Sequence, residues 1–158
     1  MIDLYTWPTP NGDKLHIMLE ETGLEYKVHA VNIGAGEQFK PNFLKISPNN
    51  RIPALIDHDG PDGLPISLFE SGAMLIYLAD KTGKFLPVAP HSRYITFQWL
   101  MWQMGGLGPI FGQVHHFTHY NPGVAPYAQE RYENETRVTR ILFILDASGS
   151  MKTEWDGS

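Results

Sequence analysis

Residues 49–55 read Asn-Asn-Arg-Ile-Pro-Ala-Leu, which places a proline directly before a short apolar run. Proline has no backbone N–H, and it disfavours helical backbone at the residue before it, here Ile52. We therefore predict that Ile52 is extended and that a strand begins just after Pro53. The backbone polar groups of Ile52 would then lack a strand partner and could pair with an extended peptide lying alongside. A loop proline that simply leads into a strand is the alternative.

A second motif follows shortly afterwards, where Phe69-Glu70-Ser71-Gly72 opens a strongly apolar segment ending near Thr82. We predict a buried helix with Ser71 as its capping residue and Gly83 as its end. A helix N-terminus attracts anions through its free N–H groups and its partial positive charge. Ser71 could bind a carboxylate while Glu70 pairs with an ammonium, as an amino-acid head group requires. A capping serine beside a surface glutamate is the alternative.

The composition narrows the classes of function. The chain has 158 residues, 42% of them hydrophobic and 18% charged, which indicates one globular domain or slightly more. Its net charge is −5 and it has no basic stripe, so we expect no nucleic-acid partner. There is no cysteine, which excludes disulfides, thiolate zinc sites and a protein thiol nucleophile. We expect no membrane span and a cytoplasmic location, since the sequence shows neither a long apolar run nor a signal peptide.

The first half of the chain predicts a β-α-β-loop-β-β-α order. Predicted strands cover residues 2–7, 26–33, 55–56 and 66–68. A turn is predicted at 9–12, a helix with one apolar face follows it and ends at Gly23, and a further helical turn is predicted near 39–46. The turn-rich link between the last two strands predicts a hairpin. The strand-helix-strand unit predicts a right-handed parallel crossover, which gives an α/β class for this half.

The second half predicts helices after a proline-containing linker. Residues 94–120 have helical texture that glycines and a proline at 105–109 should kink, and a second helix is predicted over 126–146. Its apolar stripe comprises Val138, Ile141, Leu142 and Leu145. Residues 147–158 form a polar, glycine-rich tail without period.

Three motifs together carry a resemblance to a known family. Pro-Thr-Pro-Asn-Gly at 8–12, Ser-Pro-Asn-Asn-Arg-Ile-Pro-Ala at 47–54 and Leu-Phe-Glu-Ser-Gly-Ala at 68–73 resemble the glutathione transferase superfamily. The match is strongest to its bacterial Nu-class branch, the disulfide-bond oxidoreductases related to yeast Ure2-type proteins, and it extends to about residue 146. It implies a thioredoxin-like glutathione-binding domain at 1–86, a linker at 87–91, a partial all-α C-terminal domain at 92–146, a cis peptide before Pro53 and a homodimer. The helical domain of the family is longer, so we expect a truncated C-terminal domain.

The resemblance also implies which residues hold glutathione. The expected binding residues are Gln38, Arg51, Ile52, Pro53, Glu70, Ser71 and Arg131. Glu70 and Ser71 would hold the γ-glutamyl head, Ile52 would pair with the cysteinyl part, and Arg131 would reach the site of the neighbouring subunit. Arg51 as a solvated charge and Arg131 as an ordinary exposed helix charge are the alternatives.

The resemblance assigns the activation of the sulfur to Thr9 and Asn11, which flank the start of the first helix. Tyr5 is the rival, because other classes of the family use a tyrosine near the N-terminus; we interpret it as a core strand residue. His115 and His119 are spaced i, i+4, but no cysteine or clear carboxylate partner completes a metal site, so none is expected.

We expect a glutathione-dependent enzyme that uses the ligand thiol to reduce disulfides or to conjugate electrophiles. No metal is expected, and glutathione is the co-substrate. The alternatives are a non-catalytic thioredoxin-like module that binds glutathione or regulates, and an inactive transferase fragment.

Overall fold

The computed structural model describes the backbone of residues 1–147 and the side chains of residues 1–137. This part of the chain forms two compact units, one comprising Met1–Thr96 and one that begins at Phe97. The first unit contains β1 (Ile2–Thr6), α1 (Pro10–Thr22), β2 (Tyr26–Ala30), α2 (Pro41–Leu44), β3 (Ala54–Asp57), β4 (Ile66–Phe69), α3 (Ser71–Thr82) and the start of α4 (Pro90–Trp102). The predicted order of elements is confirmed.

The four strands of the first unit form one mixed sheet in the order β2-β1-β3-β4. β1 and β2 are parallel and are joined through α1, whereas β3 pairs antiparallel with both β1 and β4. Tyr5 lies opposite Ala54, which in turn lies opposite Phe69. The predicted crossover and hairpin are both present, and the arrangement is thioredoxin-like.

Alternate residues of β1 face opposite sides of the sheet, because successive strand side chains point to opposite faces. Leu4 packs with α1 and α3, whereas Tyr5 packs with α2. The larger cluster contains Ile2, Leu4, Leu15, Met18, Leu19, Leu55, Met74, Leu78 and Ala79, and the smaller one contains Val31, Phe43 and Ala54, with Tyr5, Ile46 and Ile52 packed against it. Each fully buried leucine contributes about 1.5–3 kcal/mol relative to exposure.

α1 begins earlier than the predicted turn at 9–12 suggests. Thr9 is extended, with φ −152°, and its hydroxyl oxygen accepts a hydrogen bond of 3.2 Å from the Gly12 N–H. Pro10 occupies the first helical position, where a missing N–H leaves nothing unpaired. A Cβ on Gly12 would lie 2.8 Å from the Trp7 carbonyl oxygen, so glycine allows the helix to start this close to β1.

β2 is shorter than the predicted strand over 26–33 and ends at Ala30. Asn32 ends the extended backbone because its side chain accepts a hydrogen bond of 3.1 Å from the Ala35 N–H and so caps the short turn Ile33–Ala35. The Asn32 N–H donates to the Glu37 carboxylate at 2.8 Å. Local side-chain capping therefore replaces the strand pattern at this point.

A buried carboxylate lies at the end of the sheet where β3 finishes. Asp57 is fully buried and accepts hydrogen bonds from the Tyr77 hydroxyl at 2.6 Å and from the Asp59 N–H at 2.9 Å, while the Lys81 ammonium pairs with it at 2.9 Å. Burial acts to raise the pKa of Asp57, but the bonds from Tyr77 and Lys81 outweigh it and hold that pKa below its ordinary value. Asp57 thus ties β3 to α3.

The second unit is helical throughout most of its described length. The end of α4 continues through a π-helical turn at Gln103–Leu107 into α5 (Gly108–His115), a second π-helical turn at His116–Tyr120 follows, and α6 spans Pro126–Ala147. The glycines and the proline at 105–109 predict a kink or break, and the structure has a π-helical turn at Gln103–Leu107 that joins α4 to α5. The rings of Phe117 and Tyr132 stack at 5.9 Å and connect α6 to the preceding turn.

Some predictions concern parts that the structure does not describe. The side chains of the predicted stripe on α6 and the tail after residue 147 lie outside the described residues. The two units divide within α4, whereas the sequence places a boundary at 86 and a linker at 87–91; that division stays a prediction. In the described range, no helix combines the length and the apolar character that crossing a membrane requires.

Candidate functional site

The first unit brings two helix starts and the proline to one end of the sheet. Tyr5, Ala54 and Phe69 are aligned across β1, β3 and β4. Because β3 runs opposite to its neighbours, the residue before Ala54 and the residue after Phe69 project from the same end. These residues are Pro53 and Glu70, and the loop from β1 into α1 leaves from this end as well. The predicted peptide edge and the predicted anion-binding helix start are therefore neighbours.

The peptide bond between Ile52 and Pro53 is cis, as the family resemblance implies. Pro53 is buried, and Ile52 packs its side chain against the smaller cluster. Neither the N–H nor the carbonyl of Ile52 has a hydrogen-bond partner within the part of the chain that is described, because β3 pairing begins at Ala54. A donor and an acceptor are thus available at the position predicted to pair with an extended ligand.

The start of α3 differs in one respect from the prediction. Glu70 occupies the capping position, with φ +73° and its carbonyl accepting the Met74 N–H at 3.1 Å, and its side chain makes no capping bond. The prediction that Ser71 caps the helix is wrong, since Ser71 is the first helical residue and is buried. A positive φ is uncommon outside glycine. It turns the chain so that α3 begins directly after the end of β4.

Two residues that the sequence analysis did not assign lie near Glu70. The Asn49 side-chain amide donates to the Glu70 carboxylate at 3.3 Å, which joins the two motifs. Burial lowers the pKa of the Lys14 ammonium, and the nearby Glu70 carboxylate partly opposes this shift. The site therefore holds a cation beside its carboxylate. The sequence signal that could have identified Lys14 as a site residue is its position on α1, three residues after Asn11.

Gln38 lies in the short helical turn Glu37–Phe39 that precedes α2. Its side-chain oxygen is buried and has no hydrogen-bond partner among the described residues. Leaving a buried polar atom without a partner is unfavourable by about 1–3 kcal/mol. This amide therefore has unused hydrogen-bonding capacity, as a ligand contact requires.

The start of α1 holds the two candidates for activation of the sulfur. Thr9 is half-buried and caps the helix, and Asn11 is exposed in its first turn. Tyr5 lies on the opposite face of the sheet, where it stacks on His29 with ring centroids 4.6 Å apart. Burial raises the pKa of the Tyr5 hydroxyl, and the charge of Asp3 adds to the shift. Tyr5 is thus a half-buried strand residue packed against the smaller cluster, and its exclusion from sulfur activation stays a prediction.

The two predicted arginines are both exposed. The Ser47 hydroxyl donates to the Arg51 carbonyl at 2.8 Å and so orders the backbone ahead of Ile52. Arg131 belongs to the second unit, where its Nε donates to Glu135 at 3.2 Å on the same helix. That ion pair raises the pKa of Arg131. The expected role of Arg131 in a neighbouring subunit stays a prediction.

The histidines of the second unit form a ring stack. The rings of His115 and His119 lie 4.8 Å apart at an angle of 20°, and each also contacts the ring of Tyr120. No group of three or more histidine, cysteine or acidic side chains within the described residues is arranged to hold a metal ion.

Comparison with known proteins connects this geometry to a family. The family model described as the glutathione S-transferase N-terminal domain matches residues 1–80. Disulfide-bond oxidoreductase YfcG of Escherichia coli (strain K12) is 58% identical over 147 residues, which covers 92% of this chain and 67% of that protein. Residues 1–80, which the family model matches, include all three motifs of the first unit.

Solved structures give the same relationship. A glutathione transferase family member from Pseudomonas fluorescens, with two glutathiones bound, superimposes with a TM-score of 0.85 at 51% identity, covering 92% of this chain and 64% of that one. A glutathione transferase from Pseudomonas putida, with one glutathione disulfide bound per subunit, gives 0.84 at 50% identity, with the same two coverages. The chain spans about two thirds of the length of these proteins.

Proposed function

The chain belongs to the glutathione S-transferase family, and from this premise we propose that it binds glutathione and uses the glutathione thiol to reduce disulfides. The observation that carries the proposal is the pair of unpaired backbone groups at Ile52, which lies next to the start of α3. One end of the sheet thus offers an edge for an extended peptide beside a helix N-terminus that favours an anion. The names of the similar proteins report glutathione and disulfide-bond chemistry.

We propose that the γ-glutamyl head lies at the start of α3. The first N–H groups of the helix and Ser71 bind its carboxylate, and Glu70 pairs with its ammonium. Glu70 is exposed and accepts one hydrogen bond of 3.3 Å from Asn49, so its carboxylate retains capacity for a ligand cation. Lys14 limits the repulsion between Glu70 and the ligand carboxylate.

We propose that the same end of the sheet also binds the cysteinyl part and the remaining end of glutathione. The cysteinyl backbone pairs with the N–H and carbonyl of Ile52 in the manner of strand addition, and the buried Pro53 holds this edge in place. Gln38 and Arg51 serve the remaining polar groups of the ligand. The unpaired side-chain oxygen of Gln38 supports its part in this set.

The reaction passes between sulfurs that the ligands supply, because the chain contains no cysteine. A glutathione thiolate attacks one sulfur of the substrate disulfide, forming a mixed disulfide and releasing one thiol. A second glutathione thiolate then attacks the glutathione sulfur of that mixed disulfide. The products are glutathione disulfide and two substrate thiols, so two glutathiones are oxidised for each disulfide reduced.

Activation of the thiol requires a lower pKa, since a free thiol with a pKa of about 8.5 is mostly protonated at neutral pH. We propose that Asn11 and Thr9, at the start of α1, stabilise the thiolate through hydrogen bonding beside the positive end of the helix. Conjugation to electrophiles would use the same thiolate. The enzyme would work as a homodimer in which Arg131 of each subunit reaches the glutathione site of the other. It would work in the cytoplasm, where glutathione is kept reduced.

A second candidate is a glutathione-binding module without catalysis. It is favoured by the fact that the proposed binding residues, apart from Arg131, all belong to the first unit. Binding would then need nothing from the helical unit.

The test combines retention on immobilised glutathione with a coupled assay of disulfide reduction. We expect retention, elution by free glutathione and turnover that rises with glutathione concentration. Retention without turnover would support the module. Absence of binding, in a sample that unfolds cooperatively, would disprove the proposed function.

A further inference from the structure

A cavity in the first unit is lined by residues other than those proposed to hold glutathione. Its volume is about 550 Å³, which is within the range of about 300–1,000 Å³ that small-molecule sites occupy. It is formed by β1, β2 and the α2 region, on the face of the sheet that carries the smaller cluster. None of the residues proposed for glutathione lines it.

The floor of the cavity is aromatic and held in a fixed orientation. The rings of Tyr5 and His29 stack at 4.6 Å with an angle of 14°, and Phe43 stands 6.5 Å from Tyr5 at 55°. The His29 ring is held from behind by Asp3, whose carboxylate lies 2.8 Å from Nε2. Val31 and Ile46 provide apolar walls. A flat ring can pack against such a surface in an offset-stacked or edge-on arrangement.

The rim of the cavity carries two lysines, Lys40 and Lys45, which differ in how their charges are paired. Lys40 and Glu37 neutralise each other through an ion pair of 2.6 Å. The Lys45 ammonium, by contrast, has no ion pair or side-chain hydrogen bond with any residue that the structure describes. The Tyr5 hydroxyl, whose pKa is raised by burial and by Asp3, stays protonated and can only donate to an anion.

We propose that this cavity binds a small planar aromatic anion, such as an aromatic carboxylate or sulfonate. The ring of the ligand packs on Tyr5 and His29, and its acidic group faces Lys45. This assignment is independent of the glutathione site, since the two sets of residues do not overlap.

Calorimetric titration with naphthalene-2-carboxylate at saturating glutathione tests the proposal. We expect saturable binding that Lys45→Glu weakens about tenfold, because the substitution replaces attraction by repulsion. Lys84→Glu is the matched control: it makes the same charge change at an exposed position that contacts the end of α1 and does not line the cavity, and it should leave the affinity within about twofold.

A steric variant gives a second readout. Asn42 lines the cavity from α2 and is exposed, so Asn42→Trp should fill the space and abolish binding of the naphthalene probe. Glutathione affinity should stay unchanged in both Lys45→Glu and Asn42→Trp, which also shows that both variants are folded. Failure of the unsubstituted protein to bind the probe, or equal effects of Lys45→Glu and Lys84→Glu, would overturn the proposal.

Discussion

The two ends of the four-stranded sheet differ in how their charged and polar groups are satisfied. At the end where β3 finishes, Asp57 is fully buried and is held by Tyr77, Lys81 and the Asp59 N–H. At the opposite end, Glu70 is exposed and accepts one hydrogen bond of 3.3 Å. The Asp57 carboxylate is thus fully paired within the fold, whereas the Glu70 carboxylate retains hydrogen-bonding capacity for a ligand.

Because of this difference, we expect residues at one end of the sheet to determine stability and residues at the other end to determine ligand affinity. Removing one partner of a buried charge pair leaves the other without compensation, so the first end should govern the free energy of unfolding. The Glu70 carboxylate at the proposed site is exposed and its hydrogen bond from Asn49 is long, so its removal should affect ligand affinity instead. Four predictions test this division. A substitution of Asp57 that changes only ligand affinity, or a substitution of Glu70 that changes only stability, would contradict it.

The largest effect is expected from Asp57→Ala. It leaves Lys81 and Tyr77 without their carboxylate, and we expect the free energy of unfolding to fall by about 3–5 kcal/mol in urea titrations. The control is Asp80→Ala, which removes an exposed ion pair of 2.9 Å with Arg93 and should lower stability by less than about 1 kcal/mol. Similar losses in the two variants would show that burial of Asp57 does not matter.

Glu70→Gln should affect binding far more than stability. Loss of a charged hydrogen bond to the ligand ammonium corresponds to about 1.5–3 kcal/mol, so glutathione affinity should fall about 10- to 100-fold. Unfolding should change by no more than about 0.5 kcal/mol. Glu21→Gln, at an exposed position of α1, should alter neither quantity. Calorimetry that finds full affinity in Glu70→Gln would remove Glu70 from the site.

Asn11→Ala should slow glutathione-dependent disulfide reduction about tenfold, equivalent to about 1.4 kcal/mol, and raise the pKa of the bound thiol. Tyr5→Phe should leave both unchanged, since Tyr5 lies on the other face of the sheet. The pH dependence of turnover measures both effects. An unaffected Asn11→Ala together with an inactive Tyr5→Phe would reverse the assignment.

The smallest effect concerns Asp3, whose pKa is lowered by hydrogen bonds from His58 and then His29. A carboxyl group whose pKa is lower in the folded state than in the unfolded state stabilises the fold. This contribution is complete above the unfolded-state pKa of about 3.9, and it disappears as the pH falls through the folded-state pKa. Asp3→Asn should therefore lose stability less steeply below about pH 4 than the unsubstituted protein.

At pH 7 the Asp3→Asn variant should be less stable by under about 1 kcal/mol, because His58 is half exposed and solvent screens the interaction. Unfolding titrations across this pH range provide the measurement. Asp13→Asn, on an exposed part of α1, serves as the control and should leave the slope unchanged. An identical acid slope in Asp3→Asn would contradict the assignment.

Most of the first unit could be predicted, because its elements are marked by local signals. Apolar periodicity located α1 and α3, and Gly23 and Gly83 end them in left-handed conformation. The errors arose where side-chain capping overrides pattern. Thr9 starts α1 inside a predicted turn, and Asn32 ends β2 before a predicted strand is complete.

The candidate site was predicted in part. The motifs around Ile52 and Glu70 were recognised, and the structure places both at one end of the sheet. Asn49 and Lys14 were not assigned, because their relation to Glu70 joins residues far apart in the chain. The cavity beside Lys45 left no sequence signal, since its walls come from separate elements.

The sequence by itself determined that any reactive thiol must come from a ligand, since the chain has no cysteine, and it determined where most helices and strands lie, since periodicity and capping act over a few residues. The tertiary structure decided which face Tyr5 occupies, that Glu70 rather than Ser71 caps α3, and which polar groups remain unpaired. These features depend on strand register and packing between distant segments, which local propensity does not encode.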